Sequence, residues 1–181
     1  MEPAALRRTF EVELTFAGFP KEVFPLLCPV REYDWISDWS CVMVYTDTGI
    51  AEPGCIFRTS SQTGDEIWTV VRYEPNEVIS FLRVTPGFWV ILLELALEPA
   101  GPATTAVTVT STYTALGPVG TRVLTDFDEA GHRAHWQHLA RLAAHYLTTG
   151  TMLHPAGVPE TSAAAPGQPT VPTVPTVPTA S

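Results

Sequence analysis

The stretch VGTRVLTDFDEAGHRAHWQHLARLAAHYLTT, Val119–Thr149, decides how this chain is read. On a helical wheel centred on Leu139, the residues Leu124, Leu142, Ala143 and Tyr146 fall within about 60° of the centre, and Arg122, Arg133, Ala140 and Arg141 point away. Asp128, His132 and His135 share the apolar side. The spacing predicts one amphipathic helix of about thirty residues, ~45 Å long. Its C-terminal half has an ordinary apolar face. Its N-terminal half turns a carboxylate and two imidazoles toward the buried side. Such a helix needs a broad apolar surface to lie on.

The preceding residues supply that surface. Thr9 to Phe16 alternates, with Phe10, Val12, Leu14 and Phe16 on one face, which predicts a half-buried strand. Gly18-Phe19-Pro20 ends it, and KEVFPLLCPVREYDWISDW predicts two short helices, the second opening after Pro29. Strands then follow at Cys41–Thr46, Cys55–Ser60, Glu66–Tyr73, Val78–Val84, Trp89–Leu97 and Thr104–Tyr113, joined by Gly-, Pro- and Asn-containing turns. Short turns between successive strands predict an antiparallel meander. The fold class is α+β, with a curved seven-stranded antiparallel sheet around the C-terminal helix. A sheet that curves around a helix leaves space where the helix does not fill the concavity.

Residues 1–150 read as one domain, and residues 151–181 as a disordered tail. The tail is Pro, Thr, Val and Ala ending in VPTVPTVPT, without large hydrophobes to offset the entropy of ordering. The 181 residues carry ten Lys plus Arg against nineteen Asp plus Glu, a formal charge of −9. An acidic surface repels phosphate backbones, so nucleic acid is not an expected partner. The start, MEPAALRRTFEVEL, lacks the apolar core of a secretory signal. The longest apolar run, Phe88 to Leu97, is too short to span a bilayer. Cys28, Cys41 and Cys55 stand in no metal or redox spacing and read as reduced thiols of a cytoplasmic protein.

The element order resembles the helix-grip fold of the START and Bet v 1-like superfamily, also called SRPBCC. LLCPVREYDWISDW (Leu26–Trp39), IWTVVRYEPNEVISFLRVTPG (Ile67–Gly87), the TYTALGPVG junction (Thr112–Gly120) and the ending WQHLARLAAHYLTTG (Trp136–Gly150) resemble one bacterial branch of it. The resemblance covers residues 8 to 150. It implies a hydrophobic cavity between sheet and helix. Members bind lipids, sterols, hormones or polyketides, and a minority are enzymes such as polyketide cyclases and aromatases. Fold alone does not choose among these.

Several residues are candidates for chemistry. Asp128, His132 and His135, at i, i+4 and i+7, could contact a ligand or work as acid and base. A metal triad on this helix alone is not expected, because i and i+7 stand about 10 Å apart. Arg31 could clamp a carboxylate or enolate, or pair with Glu32 or a strand carboxylate. Arg83 shares its parity with Ile79 and Phe81, and Arg72 with Trp68 and Val70, yet neither facing follows from parity alone. Glu94 stands opposite the apolar parity of its strand. No Ser-His-Asp order, phosphate loop or dinucleotide fingerprint is present, so no cofactor is expected.

The first expectation is therefore a binding protein for a small hydrophobic, lipid- or polyketide-like molecule. The cavity should be bordered by Trp89, Ile91, Val107, Val109, Asp128, His132 and His135, with Trp35 near its entrance. The alternative is an enzyme of polyketide cyclase or dehydratase type, with His135, His132, Asp128 or Arg31 as acid–base groups. A third reading, a partner-binding regulator without a ligand, requires a filled cavity.

Overall fold

In the computed structural model, residues 5–61 and 64–154 are described; residues 155–181, most of the expected tail, lie outside them. The sheet contains β1 (Arg7–Ala17), β2 (Val42–Tyr45), β3 (Ile56–Ser61), β4 (Gly64–Glu74), β5 (Val78–Thr85), β6 (Trp89–Gly101) and β7 (Thr104–Ala115). Its order is β1-β7-β6-β5-β4-β3-β2, and every described pairing is antiparallel. Strands β2 to β7 form the expected meander, and β1 returns to the far edge beside β7. This is the helix-grip fold.

Alternation decides which side chains face the helix. On β6, Ile91, Leu93, Leu95 and Leu97 are buried while Leu92 is exposed, and on β7 Val107, Val109, Ser111 and Tyr113 point inward. β4 breaks the pattern. Its pairing with β5 shifts between Val70 and Arg72, a bulge that places Val71 and Arg72 both outside. Arg72 then pairs with Glu74 at 2.9 Å and Glu94 at 3.4 Å on the outer surface, where Glu94 also accepts from Ser80.

The segment after β1 is tighter than two helices. One turn, α1 (Pro20–Val23), runs into a 3₁₀ turn at Phe24–Leu27, and a second 3₁₀ turn covers Glu32–Asp34. Pro25 removes a backbone donor and holds the first pair to about two turns.

The C-terminal stretch is two helices, not the single one predicted. α2 (Gly117–Thr125) stops at Asp126, and α3 (Glu129–Thr149) starts after Asp128. The Asp128 carboxylate accepts from the Gly131 amide at 2.9 Å, satisfying a donor that the first turn cannot satisfy internally. Phe127 just before this cap packs on His132 in the first turn, ring centroids 5.6 Å apart, in the position of a hydrophobic staple. Gly150, with φ 69°, closes the other end. α2 sits so close to the turn between β5 and β6 that a side chain at Gly120 would meet the Phe88 carbonyl oxygen. No helix among the described residues is long and apolar enough to cross a membrane.

The core has two parts. The larger fills the concave face from β1 to β3 under α3, and includes Leu142 and Ala143. The smaller joins Phe10, Ile91, Tyr113, Ala115 and Leu124 under α2, with Trp89 and Phe127 packed against it.

Candidate functional site

A cavity of about 460 Å³ opens between the concave face, the 3₁₀ turns and the middle of α3. Its walls are mostly apolar: Phe16, Leu14 and Val107 on one side, Phe57, Trp68 and Phe81 on the other. Phe57 stacks on Trp68 at 5.2 Å, and Phe81 stands edge-on to Trp68 at 5.9 Å. Leu139, Ala140, Leu142 and Ala143 of α3 form the roof.

Trp35 and Trp39 line the side toward the 3₁₀ turns. Their indole N–H groups donate to the carbonyls of Leu26 (3.1 Å) and Pro29 (2.8 Å), which holds the turns in place. At the mouth, Asp38, Ser40, His135 and His138 are exposed. Desolvation, followed by the charges of Arg83 and His138, pushes the His135 pKa below its ordinary value, against a smaller opposing pull from Asp38.

Of the polar groups within the cavity, Arg83 is one whose facing is left open by parity, while Glu66, Glu32 and Trp136 were not singled out as site groups. The Arg83 guanidinium donates to the Glu66 carboxylate at 2.6 Å and lies 4.0 Å from the Trp68 ring centroid. Glu66 also accepts from Thr85 at 3.1 Å. Thus Glu66 is satisfied on both oxygens, while Arg83 Nε is buried and has no partner among the described residues. Trp136 Nε1, on the α3 side of the cavity, is likewise buried and without a partner among the described residues.

Glu32 is the most perturbed group. It lines the cavity, half-buried, and no hydrogen bond to its carboxyl exists among the described residues. Desolvation pushes its pKa up to about 8, only partly countered by Arg83. At pH 7 the group is therefore mainly a neutral acid, able to donate as well as accept. A 3₁₀ turn with a period of three aims it inward. No helical or strand parity in REYDW would have shown this, although a carboxylate beside two Trp residues was a signal of a kind.

The expected site residues divide. Trp35, Val107 and His135 line the cavity. Trp89, Ile91 and His132 lie instead in or against the smaller core, where Trp89 contacts Tyr113 at 5.2 Å and His132 packs among Phe10, Tyr113, Phe127 and Trp136. Val109 is fully buried in the larger core, outside the cavity wall. Asp128 is the exposed helix cap, because the chain breaks one residue before α3 and its side chain turns back on its own helix. Arg31 points outward to Asp34 at 2.6 Å rather than to Glu32 or into the cavity. His138, expected on the surface, is exposed and also borders the mouth.

No family model and no curated protein sequence matches the chain. Solved structures do match in fold. DynU16, a protein of the dynemicin biosynthetic locus, aligns at TM-score 0.56 and 20% identity over 79% of this chain and 48% of its own, so the chain spans about half of that protein. Protein MLL2253 of Mesorhizobium loti aligns at 0.57 and 20% identity, over 81% of this chain and all of its own. Norcoclaurine synthase of Thalictrum flavum, solved with dopamine and hydroxybenzaldehyde, aligns at 0.59 and 9% identity, over 79% of this chain and 90% of its own. At these identities the likeness is one of fold, and the fold is the Bet v 1-like one.

Proposed function

We propose that the protein binds a small hydrophobic, lipid- or polyketide-like molecule in the cavity between sheet and α3. One observation carries this reading: an open space of about 460 Å³, walled by aromatic and aliphatic side chains and ending in a few polar groups. That volume is ordinary for a small-molecule site and costly for a core that serves packing alone. Trp35, Val107 and His135, expected from the sequence, belong to this site, joined by Trp68, Phe57 and Glu32. Native mass spectrometry of protein purified from its own host, followed by extraction, tests it. A stoichiometric non-covalent adduct is expected. Protein that is empty from its host and takes up no apolar probe would overturn the reading.

A second reading, an enzyme of polyketide cyclase or dehydratase type, is favoured by Glu32, a carboxyl kept protonated in an apolar cavity beside an arginine. Such a group can hand a proton to a carbonyl oxygen or leaving hydroxyl, and Arg83 can stabilise a developing enolate. Turnover of a poly-β-ketone by the wild-type protein that is lost in Glu32→Gln supports it. Turnover unchanged in that variant removes it.

A further inference from the structure

In a cavity that binds a hydrophobic molecule, as proposed above, the polar end decides which head group is accepted. Three carboxyl groups, Glu32, Asp38 and Glu66, line the cavity together with one guanidinium, that of Arg83, which is committed to Glu66 and to the Trp68 ring. A carboxylate or phosphate head would meet no free cation among the described lining residues, because Glu66 already holds the Arg83 guanidinium. An ammonium would find carboxyl groups, but it would leave the N–H groups of the lining residues without acceptors. Among the described residues Arg83 Nε and Trp136 Nε1 are both buried N–H donors with no partner, and no hydrogen bond to the Glu32 carboxyl is found there either. Thr59 is already engaged, accepting from the Trp68 indole at 2.9 Å. The buried side-chain groups left unused among the described lining residues are therefore N–H donors.

We infer, on the basis of that binding reading, that the cavity selects a ligand whose polar end is an uncharged oxygen acceptor, a ketone, ester or lactone carbonyl, which takes its hydrogen bond from the Glu32 carboxyl while the rest of the ligand lies against the Trp and Phe wall. Glu32 is the specificity-determining donor. Arg83 stays with Glu66 and adds positive potential on the carbonyl oxygen. A donor matched to an acceptor discriminates strongly, because the wrong head group leaves an enclosed polar group unpaired.

Binding then depends on pH in a defined direction. The groups around Glu32 are Arg83 and Glu66 from the strands, Cys41 beside β2, Asp38 beyond the second 3₁₀ turn, and His135 and His138 from α3. The His135 pKa is lowered, so this imidazole stays neutral between pH 7 and 9. The Cys41 thiol is raised above its ordinary 9 by desolvation. Glu32, near 8, loses its proton within that interval, and with it the donor.

The test uses three probes of similar size, 2-acetylnaphthalene, 2-naphthoic acid and 2-naphthylmethylamine, titrated calorimetrically into the full chain from pH 6 to pH 9. The ketone is expected to bind at least about tenfold tighter than the acid or the amine at pH 7. Its affinity should hold from pH 6 to 7 and fall about tenfold by pH 9. Glu32→Gln, which keeps an N–H donor, should bind the ketone with no such fall. Glu32→Ala should bind it weakly at every pH. Tightest binding of the amine or the acid overturns the inference, as does ketone binding that ignores pH in the wild-type chain; in those cases the hydrophobic site itself stands. Binding of none of the three overturns the inference and the binding reading together.

Discussion

Arg83 and Glu66 face each other across the concave side of the sheet, 2.6 Å apart, with Glu66 almost wholly buried and Arg83 only partly so. A pair of this kind adds little net stability over an apolar replacement, but losing one partner strands the other. Glu66→Ala is expected to cost ~3–5 kcal/mol. The double variant Glu66→Leu, Arg83→Met should recover most of that loss in urea unfolding. Equal costs for single and double variants would show that the pair is not coupled.

Gly120 tests the approach of α2 to the turn between β5 and β6. A Cβ there would overlap the Phe88 carbonyl oxygen, a backbone atom that cannot swing aside. Gly120→Ala should destabilise by about 3 kcal/mol or more, at the upper end of overpacking costs. Gly150→Ala meets no neighbour within 4 Å and strains only its left-handed backbone, so about 1 kcal/mol is expected. Thermal melts of the two variants should separate clearly.

Asp128→Ala removes a helix cap, with an expected cost of ~1 kcal/mol. Ligand-probe affinity should not change, since the side chain is exposed and away from the cavity. A large loss of affinity with unchanged stability would return Asp128 to the site.

Leu142 and Leu139 lie three residues apart on α3 with different surroundings. Leu142 is buried, and its truncation to Ala should cost ~2–5 kcal/mol. Leu139 is half-buried at the cavity roof, so Leu139→Ala should cost less while enlarging the space for ligand. Chemical denaturation of both variants checks the order.

Glu32 links stability to pH with an unusual sign. Its folded pKa is raised above the ordinary carboxylate value, so between that value and about 8 the folded state holds a proton that the unfolded chain has released. Stability from this group is full at low pH, falls as pH rises toward 8, and then levels. Glu32→Gln should therefore gain stability relative to wild type as pH rises from 5 to 8, and urea unfolding of the pair across that range reads it. A constant difference would place the carboxyl in water.

Much of the fold was legible in the residues. Alternation along Trp89–Leu97 and Thr104–Tyr113 assigned the inward faces correctly, because a period of two survives wherever the ladder is regular. It leaves Arg72 open, and there one extra residue at Val71 turns the side chain outward. The helix wheel failed at Asp128 because it sets two acids at the break, Asp126 and Asp128, on a continuous helix; a wheel holds no term for a break. His132 followed Asp128 into error, since the new helix start sets it against Phe127 rather than the cavity. Glu32 was out of reach for a different reason. Its facing comes from a 3₁₀ turn and its protonation from neighbours distant in the chain, Arg83 among them.

The place of β1 has a consequence in time. Thr9 and Thr112, whose hydroxyls meet at 2.9 Å, stand 103 residues apart in the chain. Strands β2 to β7 can zip locally through hairpins, but β1 leaves the ribosome well before β7 and must wait for it. Closing so long a loop is slow, and until then a segment of strong β propensity is unpaired. Phe10, Val12, Leu14 and Phe16 would make it an aggregation hazard. Glu11 and Glu13 alternate with them on the exposed face, and their charge blunts the edge against pairing with another chain. Those two glutamates guard the nascent chain as much as they solvate the finished one.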